Sequence, residues 1–444
     1  MKKNLEELIT KHQKALPRYT SYPPAGKWNQ KENRLLWFEE IKSVSSLTGV
    51  DLYIHIPYCE SLCYYCGCNR TISKNKLLGD EYLSYLKKEF ELYRQELNTS
   101  IKIHSIHLGG GTPNFLTPEQ LEDLFSYFLK HRHGQSLDIA IEIDPRTLTK
   151  NQVQVFKKYR VKKVSFGIQD FDQSVQIAIN RVQPYELVKE MVQNLRESIP
   201  EIEINFDLIY GLPKQNLESI MNTLELVMNL APDTIAFYSY AHLPQRLKNQ
   251  KLIKNEDLKS GMAKLELFKS GREFLLSHGY SALGLDHFAK IGTSLDIAKK
   301  EKKLTRNFMG HTVSKSQVIL GLGSSSISSG KNFIYQNDSN IKVYKEMIDQ
   351  GRLYFKNVHQ NSDDDKKRKE LINKIMCEQV ISNTDLDEVS NSAYLDELFK
   401  DGVFDKNESG LEIHGHGIYF LRNIASCFDR YLGDNIGNKF SSSI

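Results

Sequence analysis

The sequence contains few cysteines for its length, and it has no long apolar run. Six cysteines in 444 residues are too few for the disulfide framework that stabilises small secreted domains. Neither the N-terminal stretch MKKNLEELITKHQK nor any later segment is apolar over the length of a signal peptide or a membrane span. We therefore expect a cytoplasmic protein without a membrane span, in which the cysteines stay reduced.

The chain also lacks a strong net charge. Its 59 basic and 55 acidic residues leave a formal charge of +4, whereas nucleic-acid-binding proteins usually carry a marked basic excess. We therefore predict no nucleic-acid partner. Hydrophobic residues make up 40% of the chain and charged residues 26%, as in ordinary globular proteins, and the length suffices for a large core divided between two domains.

What the sequence does contain is a dense group of thiols. Four of the six cysteines, Cys59, Cys63, Cys66 and Cys68, lie within ten residues in the segment HIPYCESLCYYCGC. A 4Fe–4S cube that is held only by protein takes four thiolates, so three of them leave one iron open to another ligand. Cys59, Cys63 and Cys66 have a spacing that can wrap around one cube. Cys68 follows Cys66 too closely to ligate the same cube easily, so we interpret it as a neighbour of the cluster.

A zinc site or a chance grouping of core cysteines fits the sequence less well. A structural zinc site usually combines two pairs of Cys or His ligands, and no second C-x2-C or H-x3–5-H pair follows at a finger-like spacing. Four unrelated core cysteines would have to cluster by chance. The triple glycine at 109–111 lacks the G-x-G-x-x-G spacing of a dinucleotide-binding loop, so it indicates a tight turn or a close approach of backbone to a ligand.

Short apolar segments alternate with amphipathic helical patterns from residue 51 onward. This alternation predicts parallel strands connected by helices. Six such units would give an α/β fold, an incomplete (β/α)6 parallel barrel that is open on one side. We predict an N-terminal arm at 1–30, the partial barrel with an extension at 31–355 and a mainly helical C-terminal domain at 356–444. The predicted strands are 51–56, 103–108, 137–144, 162–168, 202–209 and 233–240.

Polar residues gather where the predicted strands end. Chemistry in parallel α/β folds takes place at the carboxyl ends of the strands, which meet at one edge of the sheet. The cysteine loop follows the first strand and the triple glycine follows the second. The other strands end near Glu142, Asp144, Gln169, Asp170, Asp207 and the segment 240–242. Glu142 could form an ion pair with Arg146 or bind the ammonium group of a ligand, and the sequence leaves both open.

The order of these motifs resembles that of the oxygen-independent coproporphyrinogen III dehydrogenases, which are radical S-adenosylmethionine (SAM) enzymes. The C-x3-C-x2-C core alone is typical of the whole superfamily, whereas Cys68 and PRYTSYP are more specific. The resemblance covers nearly the whole chain. The matching segments are PRYTSYP (17–23), YIHIPYCESLCYYCGCN (53–69), GGGTP (109–113), EIDPR (142–146), GIQDF (167–171), NFDLIYGLPKQ (205–215), YAHLP (240–244), DHFA (286–289), RNFMGHT (306–312) and NIASCFDRYL (423–432).

This resemblance implies a 4Fe–4S cluster on Cys59, Cys63 and Cys66 and two SAM molecules, the first of them on the open iron. No further catalytic side chain is assigned. The family positions that contact the first SAM are occupied by Tyr53, Gly110, Glu142 and Ile327. Those that contact the second SAM are occupied by Tyr65, Gly111, Thr112, Gln169, Arg181, Asp207 and Ala241. Relatives commonly have Phe at position 65, so Tyr65 keeps the aromatic ring and adds a hydroxyl.

The resemblance also implies a reaction. A 5′-deoxyadenosyl radical made from SAM would remove hydrogen from two propionate side chains of coproporphyrinogen III, which lose CO2 and become the vinyl groups of protoporphyrinogen IX. The expected partners are this substrate and an electron donor such as a flavodoxin or ferredoxin, and the enzyme is expected to be a monomer. Arg18 is a candidate anchor for a substrate carboxylate, with the N-terminal arm acting as a lid.

Two alternative functions share the same cluster motif. A related haem chaperone keeps the cluster but delivers haem, and proteins of that kind lack the fourth cysteine and the PRYTSYP arm, both of which occur here. Another radical SAM enzyme could act on tetrapyrroles by methyl transfer or ring opening. The chain departs from the usual family sequence in two segments, TSYPPAGKW on the arm and IMCEQVIS around Cys377.

Overall fold

The computed structural model describes residues 3–135, 137–314, 316–389, 393–432 and 440–443, with side chains left undescribed at 387–389. Its strands, in chain order, are β1 (Val50–Ile56), β2 (Tyr58–Cys59), β3 (Thr71–Ile72), β4 (Ile103–Gly110), β5 (Asp138–Ile143), β6 (Lys163–Gln169), β7 (Glu203–Tyr210), β8 (Thr234–Ser239), β9 (Tyr280–Ala282), β10 (His287–Lys290), β11 (Thr305–Asn307), β12 (Gly310–Thr312), β13 (Ile319–Leu322), β14 (Ile327–Ser329), β15 (Phe333–Asn337), β16 (Phe355–Gln360), β17 (Val380–Ser382), β18 (Asp405–Asn407) and β19 (Gly410–Glu412).

The helices connect and cover these strands. In chain order they are α1 (Leu5–His12), α2 (Arg34–Leu47), α3 (Leu77–Leu97), α4 (Pro118–Leu129), α5 (Lys150–Lys158), α6 (Gln173–Ala178), α7 (Tyr185–Ser198), α8 (Leu217–Leu230), α9 (Gly261–Ser277), α10 (Ser294–Lys300), α11 (Ile341–Asp349), α12 (Asp363–Cys377), α13 (Asn383–Val389), α14 (Ala393–Lys400) and α15 (Leu421–Ser426). Within the described ranges, no helix combines the length and the apolarity that crossing a membrane requires.

Six parallel strands form the centre of the molecule. Strands β1, β4, β5, β6, β7 and β8 pair side by side in that order, and every pairing between neighbours is parallel. They correspond to the six strands expected from the sequence, so the prediction of an incomplete (β/α)6 parallel barrel is confirmed. All seven residues of β1 are buried, as expected for a strand covered on both faces.

The central sheet continues beyond the six strands at both edges. Strand β13 adds to β1 in parallel, and β14, β15 and β16 follow it antiparallel. At the other edge β10 and β9 add antiparallel to β8. The resulting sheet has twelve strands. No strand was expected in the glycine-rich segment VILGL that contains β13, because four apolar residues without a following helical pattern do not identify one.

The helix pattern of the sequence is reproduced in detail. In the sequence a three-to-four spacing predicts a buried stripe, and helix α3 buries it. The stripe consists of Leu83, Leu86, Phe90, Tyr93 and Leu97. Thr117 before Pro118 predicts the cap of a helix, and α4 does begin at Pro118. The Thr117 and Gln120 side chains accept from each other's backbone N–H groups, which fixes the first turn of the helix.

The N-terminal arm packs against the C-terminal region. His12 Nε2 lies 2.8 Å from a carboxylate oxygen of Asp401, and Asn423 donates from Nδ2 to the His12 carbonyl oxygen at 2.7 Å. The described residues after β16 are mainly helical and include one small sheet of β17, β19 and β18. Strand β16 crosses the predicted boundary between residues 355 and 356, and the division into three parts stays a prediction.

Candidate active site

The cysteine loop follows β1 at the carboxyl edge of the sheet, and hydrogen bonds to its backbone fix its course. Tyr64 donates its N–H to the Ile179 carbonyl oxygen at 3.0 Å, and Asn180 donates from Nδ2 to the Leu62 carbonyl oxygen at 2.7 Å. Both partners lie just after α6. The loop is therefore attached to the connection that follows β6, three strands away from the strand from which it starts.

A second segment supports the same loop from the other side. The Asn249 side chain donates from Nδ2 to the carbonyl oxygens of Tyr64 at 2.8 Å and Cys66 at 2.9 Å. Its neighbour Gln250 donates from Nε2 to the Tyr65 carbonyl oxygen at 2.9 Å. Buried carbonyl groups need such donors, so these two amides hold the loop in one conformation and turn its cysteines toward a common space.

The thiols of this loop have polar and cationic neighbours. Thr112 directs its hydroxyl to the sulfur of Cys59 at 3.3 Å. The sulfur of Cys63 lies 3.5 Å from Nη1 of Arg181 and 3.8 Å from Nη2 of Arg146. Two guanidinium groups therefore lie beside the sulfur of a predicted cluster ligand.

Burial and hydrogen bonding act in opposite directions on two of the thiols. Burial raises the pKa of Cys59 to about 11, whereas a hydrogen bond from the Cys68 side chain lowers the pKa of Cys66 to about 6. The backbone N–H of Cys68 also points at the Cys66 sulfur, at 3.4 Å. Cys68 thus supports Cys66, in agreement with its interpretation as a neighbour of the ligands. None of the six cysteines forms a disulfide.

Two carboxylates face the thiols across the strand ends. Glu142 accepts from His107 Nε2 at 3.1 Å and from the Gly110 N–H at 3.3 Å. Asp207 accepts from Ser165 at 3.0 Å and from Asn205 at 2.8 Å, and burial raises its pKa to about 6. In the part of the chain that the structure describes, neither carboxylate pairs with a lysine or an arginine. Both can therefore receive a cationic group of a ligand.

Arg146 pairs with Asp144, so the alternative ion pair with Glu142 does not form. Asp144 Oδ2 lies 2.6 Å from Arg146 Nη2 and 3.1 Å from Arg181 Nη1. Burial alone would raise the pKa of Asp144, but the two guanidinium groups outweigh it and hold that pKa below its ordinary value. The carboxylate of Asp144 in turn keeps both arginines beside Cys63.

Glycine is required at positions 110 and 111 because other parts of the chain lie too close for a side chain there. A Cβ on Gly110 would lie 2.6 Å from Nδ1 of His55, and its φ of +114° is one that residues with a side chain rarely adopt. A Cβ on Gly111 would lie 2.9 Å from the carbonyl oxygen of Tyr58. These glycines therefore allow the backbone after β4 to lie directly against the start of the cysteine loop.

These groups enclose a cavity of about 180 Å³. Two of the four residues expected around the first SAM line it, Gly110 and Glu142, and six of the seven expected around the second. The full lining is Cys59, Ser61, Cys63, Tyr65, Cys66, Cys68, Arg70, Gly110, Gly111, Thr112, Pro113, Glu142, Ile143, Asp144, Arg146, Ser165, Gly167, Gln169, Arg181 and Asp207.

Three predicted site residues and Arg18 lie outside this lining. Tyr53 is buried in β1, where its ring stacks on His107 with 6.0 Å between centroids and meets Phe308 edge to face at 5.1 Å. Ile327 lies in β14. Ala241 lines a neighbouring cavity. Arg18 donates to the Ser239 carbonyl oxygen at the end of β8.

The residues present fit a cluster with one open iron and a bound SAM. Four cysteines line one cavity, among them the three predicted ligands Cys59, Cys63 and Cys66. Two cations lie beside Cys63, and two carboxylates face the thiols. Within the described ranges, no three His, Cys, Asp or Glu side chains are arranged as ligands of a single metal ion. A cube spreads its thiolates over separate corners, so its ligands do not have to meet at one point.

Comparison with known proteins agrees with this geometry. The model of the Radical SAM superfamily matches residues 53–227. The oxygen-independent coproporphyrinogen III oxidase of Pseudomonas aeruginosa is 35% identical, with 99% of this chain and 98% of the relative covered. The enzyme of the same name from Escherichia coli is 33% identical over 96% of this chain and 95% of its own length.

A solved structure shows the same relation. Coproporphyrinogen III oxidase from Escherichia coli, described as a radical SAM enzyme, superimposes with a TM-score of 0.86 at 32% identity, over 94% of this chain and 98% of the other. The chain belongs to the oxygen-independent coproporphyrinogen III oxidase family. The resemblance stated from the motifs is thereby confirmed, and so are the cofactors expected for a member of this family, a 4Fe–4S cluster and SAM.

The family motifs identified some site residues but not the ones that support them. Arg146 stands in the motif EIDPR, and its position two residues after Asp144 could have indicated their ion pair. Asn249 and Gln250 lie in the short helix Lys248–Leu252, whose sequence KNQKL resembles an ordinary solvated turn. Their role depends on a contact across more than 180 residues, which no local pattern announces.

Proposed function

We propose that this chain converts coproporphyrinogen III to protoporphyrinogen IX without oxygen, by changing two propionate side chains into vinyl groups. The observation that carries the proposal is the 180 Å³ cavity lined by four cysteines, in a chain 33–35% identical over nearly its full length to proteins named for this reaction. Two propionates each lose CO2, one hydrogen atom and one electron in the change.

In this proposal Cys59, Cys63 and Cys66 hold the cluster. When bound, the cluster and SAM supply a carbon-centred radical that removes a hydrogen atom from a propionate side chain. Arg146 and Arg181 stay beside Cys63 through their shared partner Asp144. Their charge reduces the net negative charge of the loaded site.

The first SAM is assigned to Tyr53, Gly110, Glu142 and Ile327. Glu142 can accept the ammonium group of this molecule, because its present partners are a histidine and a backbone N–H, which leave acceptor positions free. Because Gly110 has no side chain, a ligand can lie directly against its backbone. Tyr53 supports this wall from behind through His107 and Phe308.

The second SAM is assigned to Tyr65, Gly111, Thr112, Gln169, Arg181, Asp207 and Ala241. All but Ala241 line the same cavity. Ala241 is connected to it through Gln250, which donates to the carbonyl oxygens of Tyr65 and Ala241 at 2.9 and 3.0 Å. Asp207 supplies a carboxylate to the part of the cavity assigned to the second SAM. It also accepts hydrogen bonds from Ser165 and Asn205.

Arg18 is proposed as a substrate anchor on a closing arm. Its guanidinium reaches Ser239 at the end of β8, close in the chain to Ala241, which supports a position near the substrate. Arg18→Ala is expected to raise KM for coproporphyrinogen III about tenfold, because a charge-assisted contact to a carboxylate is lost. Cleavage of SAM without substrate should stay unchanged. Unaltered KM and kcat in steady-state assays would contradict the role.

The deciding experiment is an anaerobic assay of the reconstituted protein with SAM, a reductant and coproporphyrinogen III. Mass spectrometry should detect a product in which two propionates have become vinyl groups. Stable capture of haem without any turnover would contradict the proposal and favour the haem chaperone instead. A flavodoxin or ferredoxin as electron donor, a monomeric state and a cytoplasmic location stay predictions.

A further inference from the structure

A second cavity, which we call the basic cavity, lies beside the candidate active site and has a volume of about 490 Å³. Its described lining combines apolar side chains with three lysines, an arginine and a histidine, and includes no aspartate or glutamate. The residues are Gln13, Lys14, Ala15, Gly211, Tyr240, Ala241, His242, Leu243, Pro244, Gln245, Arg246, Leu258, Lys259, Lys264, Phe440, Ser441 and Ser442. A lining of this kind suits an anion with an apolar body.

The basic cavity lies next to the cysteine loop. One of its walls is the segment 240–244, which directly follows β8 at the carboxyl edge of the sheet. Gln250 crosses it, since one amide group bonds the Tyr65 carbonyl oxygen in the cysteine loop and the Ala241 carbonyl oxygen beside the basic cavity. A ligand of macrocycle size that enters the basic cavity therefore lies next to the cluster loop.

Lys264 is the most enclosed cation of this lining. Its Nζ donates to the Tyr240 carbonyl oxygen at 2.8 Å, and Gly211 makes room for its stem, because a Cβ there would lie 2.8 Å from the lysine Cε. Burial, with Arg18 and Arg422 nearby, lowers the pKa of Lys264 to about 7. The described surroundings thus contain several positive groups and no counter-ion for this ammonium.

The two arginines beside Lys264 are also bonded to carbonyl groups. Arg18 donates to the Ser239 carbonyl oxygen, and Arg422 donates to those of Pro17 at 3.0 Å and Ser442 at 2.6 Å. Among the described residues, none of these three cations forms an ion pair. Of the three, Lys264 lines the basic cavity, whereas Arg18 and Arg422 line a smaller neighbouring cavity. A half-buried charge without a counter-ion is costly, so an anion beside Lys264 gains more than it would at a solvated lysine.

We propose that the basic cavity binds a propionate carboxylate of the tetrapyrrole substrate, with Lys264 as its central anchor. The inference rests on the proposed function and adds a specificity residue to it. The substrate has four carboxylates, and two of them survive the reaction. A propionate that does not react can therefore be held in this cavity and position the macrocycle while a reacting one faces the cluster.

The test measures binding directly, without turnover. Coproporphyrin III, the oxidised and unreactive form of the macrocycle, is titrated into the reconstituted enzyme with SAM, and its absorbance and fluorescence report the Kd. Lys264→Met should weaken binding about tenfold or more, while Lys264→Arg should restore most of it. Lys269→Met is the matched control, because Lys269 lies on the same helix α9 but outside the cavity lining.

Kinetics and stability separate this role from a structural one. Lys264→Met should raise KM for coproporphyrinogen III much more than it lowers kcat, and leave SAM cleavage without substrate unchanged. Its Tm should change little, because the replacement removes a charge without a counter-ion together with the hydrogen bond to the Tyr240 carbonyl oxygen. The tetramethyl ester of coproporphyrin III, which has no carboxylate, should bind the wild type no more tightly than the acid binds Lys264→Met.

Three results would overturn the inference. The first is equal binding of coproporphyrin III by Lys264→Met and the wild type, and the second is equal binding of the acid and the ester. The third is full displacement of the porphyrin by millimolar inorganic phosphate, which would make the cavity a general anion site. If the wild type still turns over coproporphyrinogen III, any of these three results contradicts the role of Lys264 alone and leaves the proposed function intact. If the wild type shows no turnover, both the proposed function and the role of Lys264 are wrong.

Discussion

Single residues decide how closely the strand ends approach one another, and Gly110 is the clearest case. Its backbone lies against the imidazole of His55 with no room for a methyl group. Close packing of this kind cannot relax without moving a neighbour, and here the neighbour is itself held, since His55 Nε2 bonds the Asn69 carbonyl oxygen at 2.9 Å. The wall that Gly110 forms with Glu142 is therefore sensitive to one added carbon atom.

We predict that Gly110→Ala reduces SAM cleavage at least tenfold. The methyl group would lie 2.6 Å from His55 Nδ1 and would also force a φ of +114° on alanine, so the backbone and the Glu142 contact must shift. Anaerobic cleavage of SAM by the reconstituted protein measures this, with iron and sulfide content determined in parallel.

Gly134→Ala is the control for backbone strain alone. Gly134 also has a positive φ, of +76°, but nothing lies within 4 Å of the position of an added Cβ. This variant should lose about 1 kcal/mol of stability and keep its activity. Equal activities for the two alanine variants would show that close approach at Gly110 is unimportant.

At this scale the structure places the predicted cysteines, Gly110, Gly111 and Glu142 in one cavity lining, whereas the sequence did not predict their partners. The glycines, the three cysteines and Glu142 follow from motifs, because close approach and thiolate ligation restrict the residue type. The sequence leaves open whether Glu142 pairs with Arg146 or binds a ligand. In the structure Arg146 pairs with Asp144 instead. Pairing depends on side-chain direction at a strand end, which alternates residue by residue and is set by the whole sheet.

Helices and strands are joined by a buried carboxylate as well as by apolar packing. Glu89 of α3 is only 1% exposed and accepts hydrogen bonds from the Gly323 N–H at 2.8 Å, Asn337 Nδ2 at 2.6 Å and the Tyr344 hydroxyl at 2.7 Å. It thus connects α3 with the loop after β13, the end of β15 and α11. Burial raises the pKa of Glu89 to about 7.

We predict that this carboxyl group makes the fold less stable at alkaline pH. Its pKa in the folded state lies above the unfolded value, so its contribution is complete below about pH 4.5 and is lost as the pH rises through 7. The loss amounts to at most about 3 kcal/mol. Glu89→Gln cannot ionise, so the difference in unfolding free energy between wild type and variant should shrink between pH 5.5 and pH 8.5 in urea titrations.

Glu96→Gln provides the comparison on the same helix. Glu96 is exposed, so its replacement should change stability by less than about 0.5 kcal/mol at either pH. Glu89→Gln should itself be less stable than wild type at pH 5.5, since an amide has one acceptor oxygen where three donors converge. A difference that stays constant with pH would mean that Glu89 does not titrate in this range.

Elements were predictable where a local rule applies. Alternating apolar segments gave the six parallel strands, and Thr117 gave the start of α4, because periodicity and capping are encoded within a few residues. Strand β13 was not predicted, because its four residues become a strand only by pairing with β1 across more than 260 positions. Such pairing depends on the assembled sheet.

The whole molecule is closed by contacts between its two ends. Asp401 lies 2.5 Å from Nζ of Lys11 and 2.8 Å from Nε2 of His12, and it is buried. The Arg422 guanidinium binds carbonyl groups of the arm, including that of Pro17. The arm that carries Arg18 is thus attached to the last helices of the chain, so the position of a substrate anchor depends on residues about 400 positions away.

We predict that Asp401→Asn loosens the arm. The amide keeps the shape but loses the charge that Lys11 and His12 share, which should cost about 1–3 kcal/mol and expose residues 1–30 to proteolysis. KM for coproporphyrinogen III should rise as in Arg18→Ala, with iron and sulfide content unchanged. Limited proteolysis, Tm and steady-state kinetics measure the three effects.

Glu397→Gln tests whether any loss of negative charge near Lys11 has the same result. Glu397 binds Lys11 at 2.7 Å, but its side chain is 44% exposed, and exposed ion pairs contribute less than about 1 kcal/mol. This variant should therefore resemble the wild type in proteolysis and in KM. Should both variants be cut at the same rate, the buried carboxylate of Asp401 would not be what holds the arm. If Asp401→Asn frees the arm without changing KM, the arm has a structural role only, and its position does not determine how Arg18 binds the substrate.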